Sequence, residues 1–277
     1  MKRINHKKYC FDLMCMKNIQ NIKTIHTFLK PPNNEPNYKI KNYKRSILQC
    51  KNCHHFFAKH KINTDNLYKK NYSTISHGSN IKLKFDKINK LGKKSDNFHR
   101  VERFIKFFNK KDKKKIDMID IGSGMGIFLY NLKKRVKWRL NGLEPDLNFA
   151  NFCKKNLKLK IINKCFKKKL FKNKKYDIIS LNKVAEHVKN PLKFINDIKS
   201  LLKTNGSIYI EVPDGIAALR SKQGVSREEF FLDHLHIFSI QSFSNLLIKC
   251  GFKILKIRNI KEKSGKYTLF AFAKKNV

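Results

Sequence analysis

The sequence lacks any long hydrophobic run and any pattern typical of a secretory leader. No stretch of its 277 residues approaches the roughly 20 apolar residues that span a bilayer. The basic residues 1–8 are not followed by the apolar segment of a secretory signal. The 41% of hydrophobic residues can still fill a substantial core. We therefore expect a folded cytoplasmic protein without a membrane partner, built from one large domain or two unequal ones.

Acidic residues are also scarce. The 20 aspartates and glutamates face 63 lysines and arginines, which gives a formal net charge of +43. Such an excess attracts polyanions, so nucleic acid is one candidate partner. Only nine of the 63 basic residues are arginine, however, and arginine is the residue preferred for forked phosphate contacts. Since lysine, asparagine and isoleucine all have A/T-rich codons, we favour a solvated lysine surface over a nucleic-acid footprint.

The seven cysteines form an odd set without secretory context, so they are predicted to be reduced thiols or metal ligands. Cys50 and Cys53 form a Cys-x-x-Cys pair followed by aromatic residues, which is half of a tetrahedral zinc site. Cys10 and Cys15 are the candidates for the other half, and one of the two histidines after Cys53 could also serve. A site closed by four cysteines would be structural. The alternative is a ribbon without metal.

The chain divides into three zones. Residues 1–60 hold most of the cysteines, residues 61–97 are a polar linker with short helical pieces, and residues 98–277 show strong apolar periodicity. In the third zone helices alternate with strands, which we predict at residues 116–121, 138–143, 159–162, 176–181, 207–212, 252–257 and 267–273. This alternation predicts an α/β fold with a mostly parallel sheet and helices on both faces. Its ligand should lie at the carboxyl ends of the strands.

A glycine-rich turn, residues 120–126, follows the first of these strands with the sequence Asp-Ile-Gly-Ser-Gly-Met-Gly. Glycines let the backbone approach a ligand closely, and the helix that follows presents free amides. The turn is not a nicotinamide dinucleotide fingerprint, because Ile127 stands where that motif needs its third glycine. Glu144 ends the second strand, where a carboxylate can accept both hydroxyls of a ribose. Turn, acid and alternation together favour a cofactor site over an ordinary tight turn.

Residues 98–277 resemble the class I S-adenosylmethionine-dependent methyltransferases. The resemblance rests on the glycine turn, on Glu144-Pro145, and on the segments at residues 176–179, 186–191, 206–213 and 238–252. It implies a Rossmann-like sheet whose last strand is antiparallel, with the glycines against the methionine part of the cofactor and Glu144 on the ribose. The implied cofactor-binding residues are Asp120, Gly122, Ser123, Gly124, Gly126, Glu144, Pro145 and Asn182. Asn163 stands where many relatives have an acid facing adenine, so its side chain or backbone is expected to substitute.

The fourth strand runs into Glu186-His187, a location that by resemblance faces the methyl group. A neutral imidazole can take the proton of an acceptor, so we predict a catalytic role for His187, with Glu186 beside it. The alternative is that both residues only orient the loop. The long connection at residues 213–238 suggests a lid, and its His234 and His236 are candidates either for the acceptor site or for a purely structural cover.

The sequence thus predicts an S-adenosylmethionine-dependent methyltransferase with a small N-terminal zinc-ribbon-like domain. Similar zinc-binding domains precede small-molecule methyltransferases, so the expected acceptor is a sugar, a nucleotide-linked sugar or another metabolite. An RNA methyltransferase is the alternative that the charge suggests, although the Asn-Pro-Pro-aromatic motif of adenine methylation is missing after the fourth strand. A third possibility is a non-catalytic nucleic-acid-binding module on the same fold. The sequence carries no indication of an oligomeric state.

Overall fold

A computed structural model describes residues 21–61, 80–108 and 116–276. Within these ranges the chain forms one sheet of seven strands and one of four. The strands are β1 (Ile22–Phe28), β2 (Arg45–Cys50), β3 (Phe56–Lys59), β4 (Asp117–Ile121), β5 (Arg139–Leu143), β6 (Ile161–Ile162), β7 (Tyr176–Asn182), β8 (Leu202–Pro213), β9 (His236–Ile237), β10 (Phe252–Lys261) and β11 (Tyr267–Lys275). The α-helices are α1 (Ile81–Lys90), α2 (Asp96–Phe108), α3 (Ile127–Lys133), α4 (Leu147–Lys155), α5 (Pro191–Lys199), α6 (Gly215–Leu219) and α7 (Ile240–Lys249).

The seven-stranded sheet has the order β10-β11-β8-β7-β4-β5-β6. The five strands from β8 to β6 are parallel, while β11 runs antiparallel to both β8 and β10. The Rossmann-like prediction with an antiparallel last strand is confirmed. The chain leaves β4 in one direction toward β5 and later returns to β4's other side with β7. Ligands of such sheets bind at this switch point, beyond the carboxyl ends of the central strands.

Helices cover both faces of the sheet, as predicted, and three of them begin at a residue whose side chain caps the first turn. The side chain of Asp146 accepts hydrogen bonds from the first turn of α4, Asn190 caps α5 ahead of Pro191, and Ser239 forms a capping box at α7. One apolar cluster joins α1 to α4 on one face, and another lies under α5 and α7. No helix in the described ranges is long and apolar enough to cross a membrane.

Two predicted boundaries are wrong. The strand predicted at residues 207–212 begins earlier, at Leu202, because Leu202 already pairs with Tyr176 as the first residue of β8. The third predicted strand shrinks to Ile161–Ile162, since it forms the sheet edge and pairs with only two residues of β5. In both cases tertiary strand pairing sets the boundary, and local propensity does not.

The second sheet is antiparallel with the order β1-β2-β3-β9. Its last strand comes from the connection at residues 213–238, so this sheet combines the N-terminal zone with a segment of the third zone. Phe56 and Phe57 pair with Ile237 and His236. Cys50, Cys53 and Phe57 belong to the same buried cluster as α7. An N-terminal antiparallel sheet therefore exists and packs on the larger one, but Cys10 and Cys15 lie outside the described residues, and a zinc ribbon stays a prediction.

A buried ion pair fastens the connection at residues 213–238 to the N-terminal sheet. The guanidinium of Arg45 lies 3.2 Å from a carboxylate oxygen of Glu35, with both side chains fully buried. Arg45 also donates to the carbonyl of Phe230, while Glu35 accepts from the amide of Leu232 at 2.7 Å. Both members of the ion pair therefore bind the backbone of the connection, Arg45 at Phe230 and Glu35 at Leu232. These contacts with the N-terminal zone fix the position of the connection.

Candidate active site

The glycine turn after β4 needs its glycines for two different reasons. Gly122, Gly124 and Gly126 all have positive φ values, of 77°, 53° and 76°, which glycine adopts without strain. A Cβ on Gly122 would lie 2.5 Å from Val184, and one on Gly126 would lie 2.6 Å from Cys153, so both also allow close packing. A Cβ on Gly124 would meet no atom within 4 Å. The turn is therefore packed at both ends and open in its middle.

Glu144 lies at the end of β5, where it is held by two backbone amides. Its Oε2 accepts a hydrogen bond from Gly124 at 2.6 Å, and its Oε1 accepts one from Asp146 at 2.9 Å. Burial raises the pKa of Glu144 to about 7, although both amide bonds favour the ionised form. Each oxygen keeps a further lone pair, because a carboxylate oxygen can accept more than one hydrogen bond. The carboxylate is thus fixed at the switch point with capacity to accept ribose hydroxyls.

Asp120 is a buried acceptor beneath the turn. Its Oδ1 accepts from Ser180 at 2.6 Å and from Asn182 at 3.0 Å, which ties the end of β4 to β7. Burial raises the pKa of Asp120 to about 7, against these two hydrogen bonds. The amide nitrogen of Asn182 is used in this contact, and its Oδ1 is a buried acceptor with no hydrogen-bond partner in the described ranges. An additional donor would satisfy it.

The other predicted cofactor residues hold the loops in shape. Ser123 donates its hydroxyl to the carbonyl of Asp120 at 2.9 Å. Asn163 donates its amide to the carbonyls of Glu144 and Pro145, at 2.9 and 3.1 Å. The side-chain nitrogen of Asn163 is therefore engaged in positioning the turn that carries Glu144. A direct contact between Asn163 and adenine stays a prediction, and its remaining side-chain acceptor is the atom that could make it.

The structure brings Glu186, His187 and His234 together. Each offers one ligand-type atom, and these atoms lie within 4.8 Å of one another. Nδ1 of His187 contacts the carbonyl of Asp233 at 2.9 Å, and Nδ1 of His234 contacts the carbonyl of Glu229 at 2.9 Å. A carbonyl only accepts, so each Nδ1 carries the hydrogen and each Nε2 carries the lone pair. Both imidazoles thereby present a basic nitrogen in a site at the carboxyl end of β7.

His236 does not join this cluster. It lies in β9 with 2% of its surface exposed, and its Nδ1 is 3.0 Å from Nε2 of His55. The other ring nitrogen of His55 contacts Ser242 at 3.2 Å. The chain separates His234 from His236 because the pairing with β3 turns His236 toward the N-terminal sheet. This placement leaves His236 at the interface between the two sheets, and its predicted catalytic role receives no support from its surroundings.

Sequence reasoning missed Lys183, which stands between the predicted residues Asn182 and Glu186. It has a φ of 59°, unusual for a residue with a side chain, and its Nζ donates to Thr268 at 2.7 Å. Burial lowers the pKa of Lys183, whereas the nearby carboxylate of Glu186 raises it. No local sequence signal distinguishes this lysine from the many others in the chain. Its position near the carboxylate of Glu186 and the hydroxyl of Thr268 depends on the strand order.

A second missed group is the ion cluster that places β8 against α2. Glu211 accepts hydrogen bonds from Arg100 at 2.8 Å and from Arg103 at 2.5 Å, and Tyr209 also donates to it. Burial alone would raise the pKa of Glu211, but the two guanidinium groups hold it well below its usual range. The available signal was the spacing of two of the rare arginines by three residues on one helix face.

The glycine turn, the fixed acid after β5 and the parallel switch point define a nucleoside-cofactor site in a Rossmann-like sheet. In agreement with this geometry, the family described as methyltransferase domain matches residues 94–257. The match spans more than half of the chain, and the chain belongs to this family of class I S-adenosylmethionine-dependent methyltransferases. The resemblance stated from the sequence is confirmed for this domain.

Among individual relatives, the chain is similar to a ribosomal protein L11 methyltransferase from Dictyoglomus turgidum (strain DSM 6724 / Z-1310). The two are 29% identical over 170 residues, which cover 60% of this chain and 48% of the relative. The chain therefore spans about half the length of the curated relative that it matches.

Two solved structures show a similar fold. The plantazolicin methyltransferase BpumL in complex with SAH gives a TM-score of 0.53 at 19% identity, covering 71% of this chain and 89% of that one. Magnesium protoporphyrin IX methyltransferase (ChlM) from Synechocystis PCC 6803, with bound SAH, gives 0.57 at 12% identity, covering 77% and 100%. At these identities the likeness concerns the fold.

Proposed function

We propose that this chain transfers a methyl group from S-adenosylmethionine to a small-molecule acceptor, such as a sugar, a nucleotide-linked sugar or another metabolite. The observation that carries the proposal is the enclosure of the Glu186, His187 and His234 cluster. Glu186 is fully buried, and only 13% of the His187 side chain is exposed. The segment at residues 213–238 covers the cluster and is fixed by its bonds to Arg45 and Glu35. A covered site of this kind suits a small acceptor better than a folded macromolecule.

The residues at the switch point fit the cofactor. Glu144 offers two fixed oxygens to the ribose hydroxyls, and the open middle of the glycine turn at Gly124 leaves room for the methionine part. The unsatisfied Oδ1 of Asn182 can accept a hydrogen from an ammonium or hydroxyl group. When bound, S-adenosylmethionine supplies an electrophilic methyl group on a positively charged sulfur. These contacts would orient that group toward the end of β7.

His187 and His234 are proposed to act on the acceptor. The Nε2 atoms hold lone pairs because each Nδ1 donates to a backbone carbonyl, so either ring can take a proton as the acceptor attacks. Asp233 supports this role for His187, since its carboxylate lies 3.7 Å from Nδ1 and would stabilise the imidazolium that forms. The buried Glu186 completes the polar wall of the acceptor site.

Two other acceptor classes compete with this proposal. The L11 methyltransferase relative suggests a protein acceptor, although the chain covers only 48% of that relative. The net charge of +43 suggests RNA. Counterion release dominates RNA binding through lysines alone, so such binding should be weak and should collapse as salt rises. A true RNA methyltransferase should keep specific affinity at physiological salt.

The proposal is tested with S-adenosylmethionine carrying a labelled methyl group. The full-length protein is incubated separately with nucleotide sugars and metabolite extracts, with ribosomal protein, and with RNA. We expect label only in low-molecular-weight products, and at least a hundredfold less with His187→Gln. The matched control is His26→Gln, which changes an exposed histidine in β1, at the outer edge of the four-stranded sheet. Label in RNA or ribosomal protein that His187→Gln removes would contradict the small-molecule assignment.

We also propose that the N-terminal zone, residues 1–60, binds one structural zinc ion through Cys10, Cys15, Cys50 and Cys53. Support comes from the tight turn between the two described cysteines, in which the amide of Cys50 donates to the carbonyl of His55 at 2.9 Å. Both ring nitrogens of His55 already contact other side chains, which favours cysteines over this histidine as ligands. Elemental analysis should find zinc that Cys50→Ser removes. A folded, zinc-free protein would contradict the proposal.

A further inference from the structure

We propose that Glu186, His187 and His234 form a binding site for a divalent first-row transition metal ion, separate from the cysteine site. The three residues supply one carboxylate and two imidazoles, with their ligand-type atoms within 4.8 Å of one another. Catalytic zinc and non-haem iron sites use this same set of two histidines and one carboxylate and leave the remaining positions open. The inference deepens the proposed function and rests on it for the role of the ion, though not for its binding.

The first argument is the state of Glu186. The residue is completely buried, and neither of its carboxylate oxygens has a hydrogen-bond partner among the residues that the structure describes. A buried carboxylate without hydrogen bonds is strongly destabilising unless a cation lies close to it. Lys183 interacts with this charge, but its Nζ donates to Thr268 and does not reach a hydrogen bond with Glu186. A metal ion would satisfy the carboxylate directly.

The second argument is the orientation of the two histidines. A metal-binding histidine typically donates its other ring hydrogen to a backbone carbonyl or a carboxylate, which fixes the tautomer. His187 and His234 both do so through Nδ1, at 2.9 Å from the carbonyls of Asp233 and Glu229. Asp233 adds a carboxylate at 3.7 Å from Nδ1 of His187. Both rings are thus prepared to bind a cation through Nε2, the nitrogen that carries the lone pair.

The backbone holds the two halves of the site together. Glu186 and His187 lie in a 3-10 turn after β7, whereas His234 comes from the distant connection over the sheet. The amide of Leu235 donates to the carbonyl of Glu186 at 2.8 Å, and the two imidazole centroids are 4.9 Å apart. Ligand atoms on one tetrahedral ion lie about 3.3 Å apart. The ligand-type atoms of the three side chains lie within 4.8 Å of one another, so small side-chain rotations that move each atom by about 1 Å would bring them to this spacing.

The ligand types select the class of metal. Imidazole suits zinc, iron and similar ions, whereas magnesium and calcium prefer sites made only of oxygen ligands. Three protein ligands leave positions for an oxygen atom of the acceptor. An acceptor hydroxyl bound to such an ion would ionise more easily, because a metal lowers the pKa of an oxygen that coordinates it. With the ion bound, both Nε2 atoms are ligands, so the proton would pass to solvent water, and the imidazoles would act as the base only in the metal-free protein. The site therefore favours acceptors that carry a hydroxyl or a carboxylate next to the methylated position.

Manganese is the appropriate probe, because Mn²⁺ binds nitrogen and oxygen ligands but has little affinity for cysteine thiolates. The full-length protein, dialysed against a chelator and then against plain buffer, is titrated with Mn²⁺ and followed by electron paramagnetic resonance without cofactor or acceptor. We expect one bound equivalent that Zn²⁺ displaces, since zinc binds such ligands more tightly. Glu186→Gln and His234→Gln should each weaken Mn²⁺ binding at least tenfold, and His26→Gln should leave it unchanged.

The folding of each variant is checked by circular dichroism and thermal unfolding, and each variant is also titrated with S-adenosylhomocysteine. If Glu186→Gln fails to fold, the partly exposed His234→Gln carries the test alone. Absence of Mn²⁺ binding by the folded wild-type protein, or binding that both variants retain, would overturn the metal site. A protein that binds Mn²⁺ through these residues but binds no S-adenosylhomocysteine would keep the metal site and overturn the proposed function.

Discussion

The backbone amide of Gly124 donates a hydrogen bond of 2.6 Å to Oε2 of Glu144. This bond joins the ends of two neighbouring parallel strands, β4 and β5, and it places the open middle of the glycine turn beside the buried acid. Any ligand that contacts the turn will therefore also meet the carboxylate.

Glu144→Gln should weaken the binding of S-adenosylhomocysteine by about 1.5–3 kcal/mol, or roughly ten- to hundredfold. The amide removes the charge that strengthens hydrogen bonds from ribose hydroxyls, while the size of the side chain is largely preserved. Because the amide nitrogen cannot accept, the variant keeps the hydrogen bond from Asp146 and loses the one from Gly124. Titration calorimetry measures the effect. Glu102→Gln, at an exposed helix position, is the control and should bind like the wild type. Equal affinity for Glu144→Gln would mean that the acid does not contact the ribose.

Cofactor affinity should depend on pH through Glu144. Its pKa is raised to about 7, so the unbound protein carries it protonated at lower pH. Ribose hydroxyls donate to the ionised form, so binding favours loss of that proton. Affinity should be nearly constant above about pH 7 and fall by up to tenfold for each pH unit below it. Calorimetry in buffers of different ionisation enthalpy should detect proton release near pH 6, and Glu144→Gln should abolish most of it. Asp120, whose pKa is also about 7, is the neighbour that could contribute the remainder.

Alanine substitutions in the glycine turn should affect stability and cofactor affinity to different extents. Gly124→Ala places a methyl group in open space at a φ of 53°, so it should cost about 1–2 kcal/mol of stability yet weaken S-adenosylhomocysteine at least tenfold. Gly126→Ala adds a clash 2.6 Å from Cys153 and should cost about 2–5 kcal/mol. Gly265→Ala also places a methyl group in open space at a positive φ, of 90°, but in the hairpin turn between β10 and β11, and it should leave binding unchanged. Thermal unfolding and calorimetry give both quantities, and unaltered affinity in Gly124→Ala would place the cofactor elsewhere.

The parts of this molecule that sequence reasoning reached are those with local signals. A helix cap acts within three residues, so the starts of three helices can be recognised from Asp146, Asn190 and Ser239. The glycine turn and Glu144 can be recognised because each directly follows a predicted strand. The pairing of β3 with β9 had no such signal. A strand of two residues has no periodicity, and its partner lies about 180 residues away in the sequence.

The cluster of Glu186, His187 and His234 shows the same division between local and distant signals. Glu186 and His187 follow a strand that the pattern predicts, and the resemblance to class I methyltransferases is what makes this position a candidate site. The separation of His234 from His236 could not be predicted, since it depends on the pairing of His236 with Phe57 in the N-terminal sheet. Lys183 could not be predicted either, because nothing in a lysine-rich sequence distinguishes the one lysine that has a positive φ and bonds Thr268. Contacts between distant segments therefore decide the chemistry of this site more than local motifs do.

Glu211 should be a main contributor to the stability of the larger domain. Glu211→Gln removes a buried charge that Arg100 and Arg103 share, and should cost about 3–5 kcal/mol. Arg100 then loses its carboxylate partner, and Arg103 keeps only Glu262, at 3.5 Å. Because the pKa of Glu211 lies below that of the unfolded chain, its contribution is present above about pH 4.5 and is lost as pH falls further. Wild type and Glu211→Gln should therefore converge in stability at acidic pH.

Glu102→Gln is the control. It breaks an exposed ion pair on α2, the helix that carries Arg100 and Arg103, and should cost less than about 1 kcal/mol. Urea unfolding at several pH values measures all three proteins, and a Glu211→Gln variant as stable as Glu102→Gln at neutral pH would contradict the role assigned to this cluster.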